Sequence, residues 1–273
     1  MEDKNKKVKK VKNDKKKEEK KAPKRLEKAS IYQRIRIPLL ILLSIIIVFC
    51  LVKITIWVIE NNRTNSVSSI ADEAVEEIEN NTEYDKKYKV DFEKLKEINE
   101  DVVAWVKVEN TNIKYAVVKG NDREYYLTHS LDSSYNTAGW IFMDPDNKLD
   151  GTDKNIVIYG HNRKDLSMFG TLSDVLEESY LDIEENKKVT FVTENGYYIG
   201  HIFSIYTVPD EGYYITTSFT DESFESFIDR LKGRSEKDLN VEVNKEDTIL
   251  TLSTCADNNK YRVVVHAKLE KVE

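Results

Sequence analysis

The stretch DTILTLSTCADNNKYRVVVHAK, Asp247 to Lys268, decides how the rest of the chain is read. Two runs of apolar and β-branched residues flank a short polar loop, the pattern of two neighbouring strands. Alternation along the second run sets Arg262, Val264 and His266 on one face and Val263, Val265 and Ala267 on the other. If the strands pair, Cys255 at the end of the first lies near the start of the second, within reach of Arg262. Ser253, two residues before Cys255, shares its strand face.

Working outward, runs of the same kind cover Val102 to Val108, Ile113 to Val118, Gly139 to Met143, Asn155 to Tyr159, Lys188 to Thr193 and Tyr197 to Val208. With Thr248 to Leu252 and Tyr261 to Leu269 they make eight candidate strands, a mostly β chain suited to a barrel or a sandwich. Asn195-Gly196 between two of them signals a hairpin turn, because both residues accept positive φ. One helix interrupts this half. Thr220 offers its cap, Asp221 and Glu222 suit the N-terminal dipole, and Phe224, Phe227, Ile228 and Leu231 form an apolar stripe before Gly233. A short helix is expected around Phe92, Leu95 and Ile98, and a weaker one over Ser173 to Glu178.

The N-terminal part is of another character. Residues 1–36 hold 16 Lys or Arg against 6 Asp or Glu, whereas residues 60–273 hold 25 against 43. Between them runs Ile37 to Ile59, 23 residues whose one charge, Lys53, lies near the far end where its stem can snorkel. At 1.5 Å per residue such a helix crosses a hydrocarbon core of about 30 Å. No A-x-A-like cleavage site is evident after it, so the run reads as an uncleaved signal anchor. The preceding basic flank keeps the N-terminus cytoplasmic and sends the residues beyond about Glu60 outside. The Lys-rich tail has few aromatics and adjoins the span, which favours a lipid-facing tail over a nucleic-acid partner. Ser66 is expected to cap a helix carrying Val67, Ile70, Ala71, Ala74, Val75 and Ile78, with a polar linker from Glu79 to Lys89. The expected organisation is thus a tail over 1–36, a transmembrane anchor over 37–59, a stalk helix and linker over 60–87, and a folded domain over 88–273.

Of the two cysteines, Cys50 lies in the span and only Cys255 belongs to the exported part. A lone exported thiol is reactive, paired with another chain, or buried and inert. NIVIYGHN, Asn155 to Asn162, is a buried-type strand that stops at Gly160 and delivers His161 into a loop. Strand ends hold catalytic side chains well, since the sheet fixes them and the loop leaves them accessible.

Taken together, TLSTC at Thr251 to Cys255, VIYGHN at Val157 to Asn162 and an arginine seven residues after the cysteine resemble the sortases, over roughly Tyr88 to Glu273. The inserted helix at Asp221 to Lys232, the helical N-terminal region and the anchor are similar to the class B branch. The resemblance implies an eight-stranded β-barrel with N-terminal helices and an inserted helix before the cysteine-bearing strand. It implies Cys255 as nucleophile, His161 as the group that protonates the departing amine, and Arg262 as the holder of the substrate carbonyl or its oxyanion. These types suit those roles: a thiolate is nucleophilic, an imidazole exchanges protons near neutrality, and a guanidinium stays charged.

The implied reaction is transpeptidation of a C-terminal sorting signal at a Thr-Gly-like bond, through a thioacyl enzyme resolved by an amine of a peptidoglycan precursor. The implied partners are surface proteins bearing that signal, the cell-wall amine and the membrane. Two alternatives stay open: a pilin-polymerising sortase, and a non-catalytic membrane-tethered β-domain that binds a surface peptide or polymer. Asp257 is a rival to Arg262 as third member, Ser253 is a candidate for bonding substrate or thiol, and Tyr214 and Ile215 are candidates for walls of the peptide groove. His129 and His266 follow no strand-ending glycine, His201 after Gly200 sits mid-strand, and all three are read as structural. No His-Glu-x-x-His motif, paired Cys-x-x-Cys or phosphate loop occurs in the sequence, so no metal and no cofactor are expected.

Overall fold

Alternating β-branched and aromatic residues produce most of this chain's architecture, and helices cover what the sheet leaves bare. The computed structural model describes residues 24–79, 86–209, 211–256 and 260–272. They divide into units Met1–Val58 and Ile59–Glu273. In the first, α1 (Lys24–Asp72) carries the apolar run, its side chains exposed from Ile35 to the end of the run at Ile59. The Ser44 and Thr55 hydroxyls donate to Ile41 O and Leu51 O at 2.7 and 2.9 Å, so the helix satisfies its own polar side chains. Among the described residues it is the one helix long and apolar enough to cross a membrane. Residues 1–23 and 80–85, which include most of the expected tail and part of the linker, lie outside the described residues.

In the second unit the end of α1 packs on the barrel through Val67 and Ala71. Ser66 does not cap it. Its hydroxyl donates back to Asn62 O from inside the helix, which ends at Asp72. The expected continuation to Ile78 is instead strand β1 (Val75–Glu79), antiparallel to β2 (Lys86–Val90) with Glu76 opposite Lys89. The acidic strand finds a basic partner strand, a pairing worth a few tenths of a kcal/mol per pair. Asp91 then caps α2 (Phe92–Ile98) by accepting from Lys94 N at 3.1 Å.

The barrel strands are β3 (Val102–Val108), β4 (Lys114–Val118), β5 (Phe142–Met143), β6 (Asn155–Gly160), β7 (Lys188–Thr193), β8 (Gly196–Pro209), β9 (Thr248–Ala256) and β10 (Tyr261–Lys271). They close in the order β10-β8-β7-β3-β4-β5-β6-β9, with β9 pairing β10. Two pairings are parallel, β4–β5 and β6–β9. Residues 173–178 make a 3-10 turn, Leu172–Leu176, before the short α3 (Glu178–Leu181). Thr220 caps α4 (Asp221–Arg234) in a reciprocal pair with Ser223, and the helix runs through Gly233.

α4 explains the Val263-Val264-Val265 run. Val263 and Val265 belong to the main core, whereas Val264 packs with Phe224, Phe227, Ile228 and Leu231 of the helix. A strand covered on both faces loses its polar alternation, and each such side chain contributes roughly 1.5–3 kcal/mol by burial.

Two local expectations shift. The β7–β8 turn is Glu194-Asn195, since Thr193 pairs Gly196, and neither Asn195 nor Gly196 has positive φ. A Cβ at Gly196 would lie 2.8 Å from the Tyr198 hydroxyl and 2.9 Å from Lys271 Cε, the ends of two side chains that would have to move aside. The strand expected from Gly139 shrinks to Phe142–Met143, because Gly139 turns the chain at φ +61°.

Candidate active site

β6 delivers His161 under tight constraint. A Cβ on Gly160 would lie 2.5 Å from Ile141 Cδ1 and 2.7 Å from Phe169 Cγ, so only glycine fits at the strand's end. His161 Nε2 then sits 2.8 Å from Leu127 O. A carbonyl only accepts, so Nε2 carries the hydrogen of this bond and Nδ1 is the nitrogen left to take up or release a proton. The imidazole edge also packs on the bare Cα of Gly139, where a Cβ would meet His161 Cδ2 at 2.9 Å. Leu127 ends a 3-10 turn, Tyr125–Leu127, whose start is held by Asp122 accepting from Glu124 N and Tyr125 N at 2.8 Å each. Those two bonds hold the Asp122 carboxyl below its usual range.

The loop carrying Gly139 is latched to α1. Buried Asn136 accepts from Ala138 N at 2.9 Å and donates to Thr64 Oγ1 at 2.8 Å and Glu60 O at 3.2 Å. Arg163, just after His161, donates to Asn61 Oδ1 at 3.3 Å.

β9 supplies the next positions. Its residue Cys255 is the register partner of Arg262 on β10. On its other side Thr254 pairs Gly160 of β6 in parallel register, so the next residues along the two strands are Cys255 and His161. The Cys255 side chain and Asp257 lie outside the described residues. Arg262 is half-buried and its Nη1 donates to Tyr261 O at 3.2 Å.

A cleft of about 380 Å³ gathers His161, Arg262, Ser253, Tyr214 and Ile215, all five predicted residues whose side chains are described. Ser253 and Tyr214 are buried, with their hydroxyl oxygens 3.1 Å apart. Tyr214 and Ile215 form part of a 3-10 turn, Tyr213–Ile215, between β8 and α4.

Sequence reasoning missed a second cation here. Arg123 lines the cleft and donates through Nε and Nη2 to the two oxygens of Asp144, at 2.7 and 3.0 Å. Asp144 is fully buried and also accepts from the Tyr159 hydroxyl at 2.6 Å. Burial and then this bond push the Tyr159 phenol up. Arg123 stands in a polar run that reads as a turn, and nothing in its spacing points to Asp144.

The other histidines sit elsewhere. His129 stacks on Tyr125 at 4.0 Å, His201 approaches Glu270 at 3.4 Å, and His266 is fully buried between Tyr206 and Thr251. Among the described residues, no group of three or more His, Cys, Asp or Glu is arranged to hold a metal ion.

The family model described as Sortase domain matches residues 106–270. Two relatives are both named Sortase B. That of Staphylococcus aureus is 36% identical over 185 residues, 66% of this chain and 75% of the relative. That of Listeria monocytogenes is 38% identical over 181 residues, 64% and 72% of the respective chains. The solved structure of a Staphylococcus aureus sortase B–substrate complex superposes with a TM-score of 0.63 at 35% identity, covering 67% of this chain and 86% of that one.

Proposed function

The chain belongs to the sortase family, in its class B branch, and on that premise we propose how a transpeptidase of surface proteins works here. Cys255 is the nucleophile. Its thiolate attacks the carbonyl of a Thr-Gly-like bond near the C-terminus of a surface protein, and Arg262 stabilises the charge that develops on the oxygen. The C–N bond breaks, His161 gives the departing amine its proton, and a thioester remains on sulfur. A cell-wall amine then attacks that thioester, loses its proton to the imidazole, and takes the acyl group as the thiolate leaves.

One observation carries this reading. Cys255 stands in register with Arg262 on one side, and on the other it comes directly after Thr254, the partner of the glycine that precedes His161. Three strands thereby bring the three positions to one end of the barrel. With His161 Nε2 committed to Leu127 O, Nδ1 is the nitrogen that shuttles the proton. Tyr214, Ile215 and Ser253 line the same cleft and receive the sorting peptide.

Residues 37–59 act as a signal anchor, with 1–36 a basic cytoplasmic tail and the catalytic domain on the outer face. The apolar helix and the basic excess before it support this topology.

The test is incubation of the full chain, in detergent micelles, with a library of five-residue sorting peptides and an amine acceptor. Mass spectrometry is expected to find an acyl adduct on Cys255 with the accepted motif. Peptide cleavage by the Cys255→Ala chain at the parent's rate would overturn the reading.

A further inference from the structure

Behind the cleft the sheet holds a line of buried polar groups that this chemistry does not use. Asn155 on β6, Thr251 on β9 and His266 on β10 are all fully buried, and their hydrogen bonds fix one another's directions. Asn155 Nδ2 lies 3.0 Å from Tyr214 O and 2.9 Å from Thr216 O. Both are acceptors, so both amide hydrogens are committed and Oδ1 is left to accept. Thr251 Oγ1, 2.6 Å from that Oδ1, must therefore donate. With its single hydrogen used, Thr251 Oγ1 accepts at its other contact, His266 Nδ1 at 2.8 Å. His266 accordingly carries its proton on Nδ1, and its Nε2 accepts from the Tyr206 hydroxyl at 2.8 Å. Burial keeps the ring neutral, pushing its pKa down to about 3.

The chain of donors thus has one polarity, from Tyr206 through His266, Thr251 and Asn155 to two main-chain carbonyls. Those carbonyls belong to the Tyr213–Ile215 turn and to Thr216, which caps it. Tyr214 and Ile215 of that turn line the cleft. We propose that Asn155, oriented by Thr251 and His266, is the positioning residue for this wall of the peptide groove and so sets which sorting signals are accepted. This builds on the transpeptidase reading, whereas the order of the hydrogen bonds does not depend on it.

Four histidines make the order directly observable in the full chain, labelled with [15N]histidine in micelles. One ring is expected to show the neutral Nδ1–H tautomer from neutral pH down to pH 5, and to vanish in His266→Gln. An Nε2–H tautomer for that ring would overturn the proposal. Thr251→Val keeps the shape and removes the hydroxyl. It is expected to raise peptide KM about tenfold, with kcat and the alkylation rate of Cys255 by iodoacetamide within twofold of the parent, and Thr251→Ser is expected to restore KM. Equal losses in kcat and alkylation, or an unchanged KM, would refute the positioning role. Amide exchange over residues 213–217 reads that role without peptide: it is expected to quicken about tenfold in Thr251→Val while the β3–β7 amides keep their protection. Unchanged exchange there would refute it even if the parent cleaved no peptide, a result that would separately sink the transpeptidase reading.

Discussion

Replacing Gly139 by alanine is expected to damage the fold and the seating of His161 together. Gly139 has φ +61°, a left-handed conformation that costs an L residue about 1–2 kcal/mol. The added Cβ would lie 2.6 Å from Tyr126 O and 2.9 Å from both Leu127 O and His161 Cδ2. The two oxygens yield little, because Tyr126 O accepts from Trp140 N at 2.9 Å and Leu127 O is the partner of the His161 imidazole. Overpacking of this kind costs about 1–3 kcal/mol. The sum is about 2–5 kcal/mol, and the softest way to relieve it is to push the imidazole off Leu127 O. Urea unfolding of the full chain, followed by circular dichroism, should show that loss, and kcat/KM on the accepted peptide should fall by about tenfold or more. If Gly139→Ala matched the parent in both measurements, the packing argument for His161 would be refuted.

Gly233→Ala should stabilise the chain by about 0.5–1 kcal/mol, because Gly233 lies within α4 with open space around it; an unchanged or lower melting temperature would contradict this. Asp144→Ala removes the buried partner of Arg123 and Tyr159 and should cost about 1–3 kcal/mol, because Arg123 is half-exposed and keeps Asp146, measured by the same unfolding assay. Burial pushes the Asp165 carboxyl up, but hydrogen bonds from Arg163 and Ser167 outweigh it and hold it at about 2, against about 3.9 unfolded. The stability this confers is present above about pH 4 and lost as pH falls through about 2. Asp165→Asn should therefore lower the urea midpoint at pH 7 and differ little from the parent at pH 2. His266, at about 3 folded and about 6.5 unfolded, leaves the unfolded chain binding the extra proton. Stability should decline as pH drops from about 6.5 towards 3, and His266→Gln should flatten that slope.

The barrel was legible wherever local pattern and burial agree. Val102–Val108 and Lys188–Thr193 coincide with their strands to the residue, and Thr220 with its apolar stripe fixed the inserted helix. What failed depended on partners distant in sequence. Val75 and Ile78 fit helical spacing as a continuation of Val67 and Ala71, and only the Lys-rich strand beginning at Lys86 makes Val75–Glu79 extended. Asn195-Gly196 carries hairpin residues, yet the register at Thr193–Gly196 moves the turn one residue earlier. At the cleft, His161 and Arg262 could be picked out because VIYGHN, TLSTC and the arginine seven residues on resemble the sortases, Ser253 because it shares the strand face of Cys255, and Tyr214 and Ile215 because they stand just ahead of the inserted helix. Arg123, Asn136 and Asn155 could not. Their meaning lies in Asp144, Thr64 and the Tyr214 and Thr216 carbonyls, between 21 and 72 residues away.

The latch between Asn136 and α1 bears on how this protein can be cut down for study. Glu60 and Thr64 lie well before the first β-strand, where a soluble fragment would conveniently begin. Trimming there would strand two amide hydrogens of a fully buried side chain three residues from the glycine that seats His161. Such a truncated enzyme would be a misleading stand-in, its sluggishness an artefact of the scissors; a faithful one has to retain the segment from Ile59 onward.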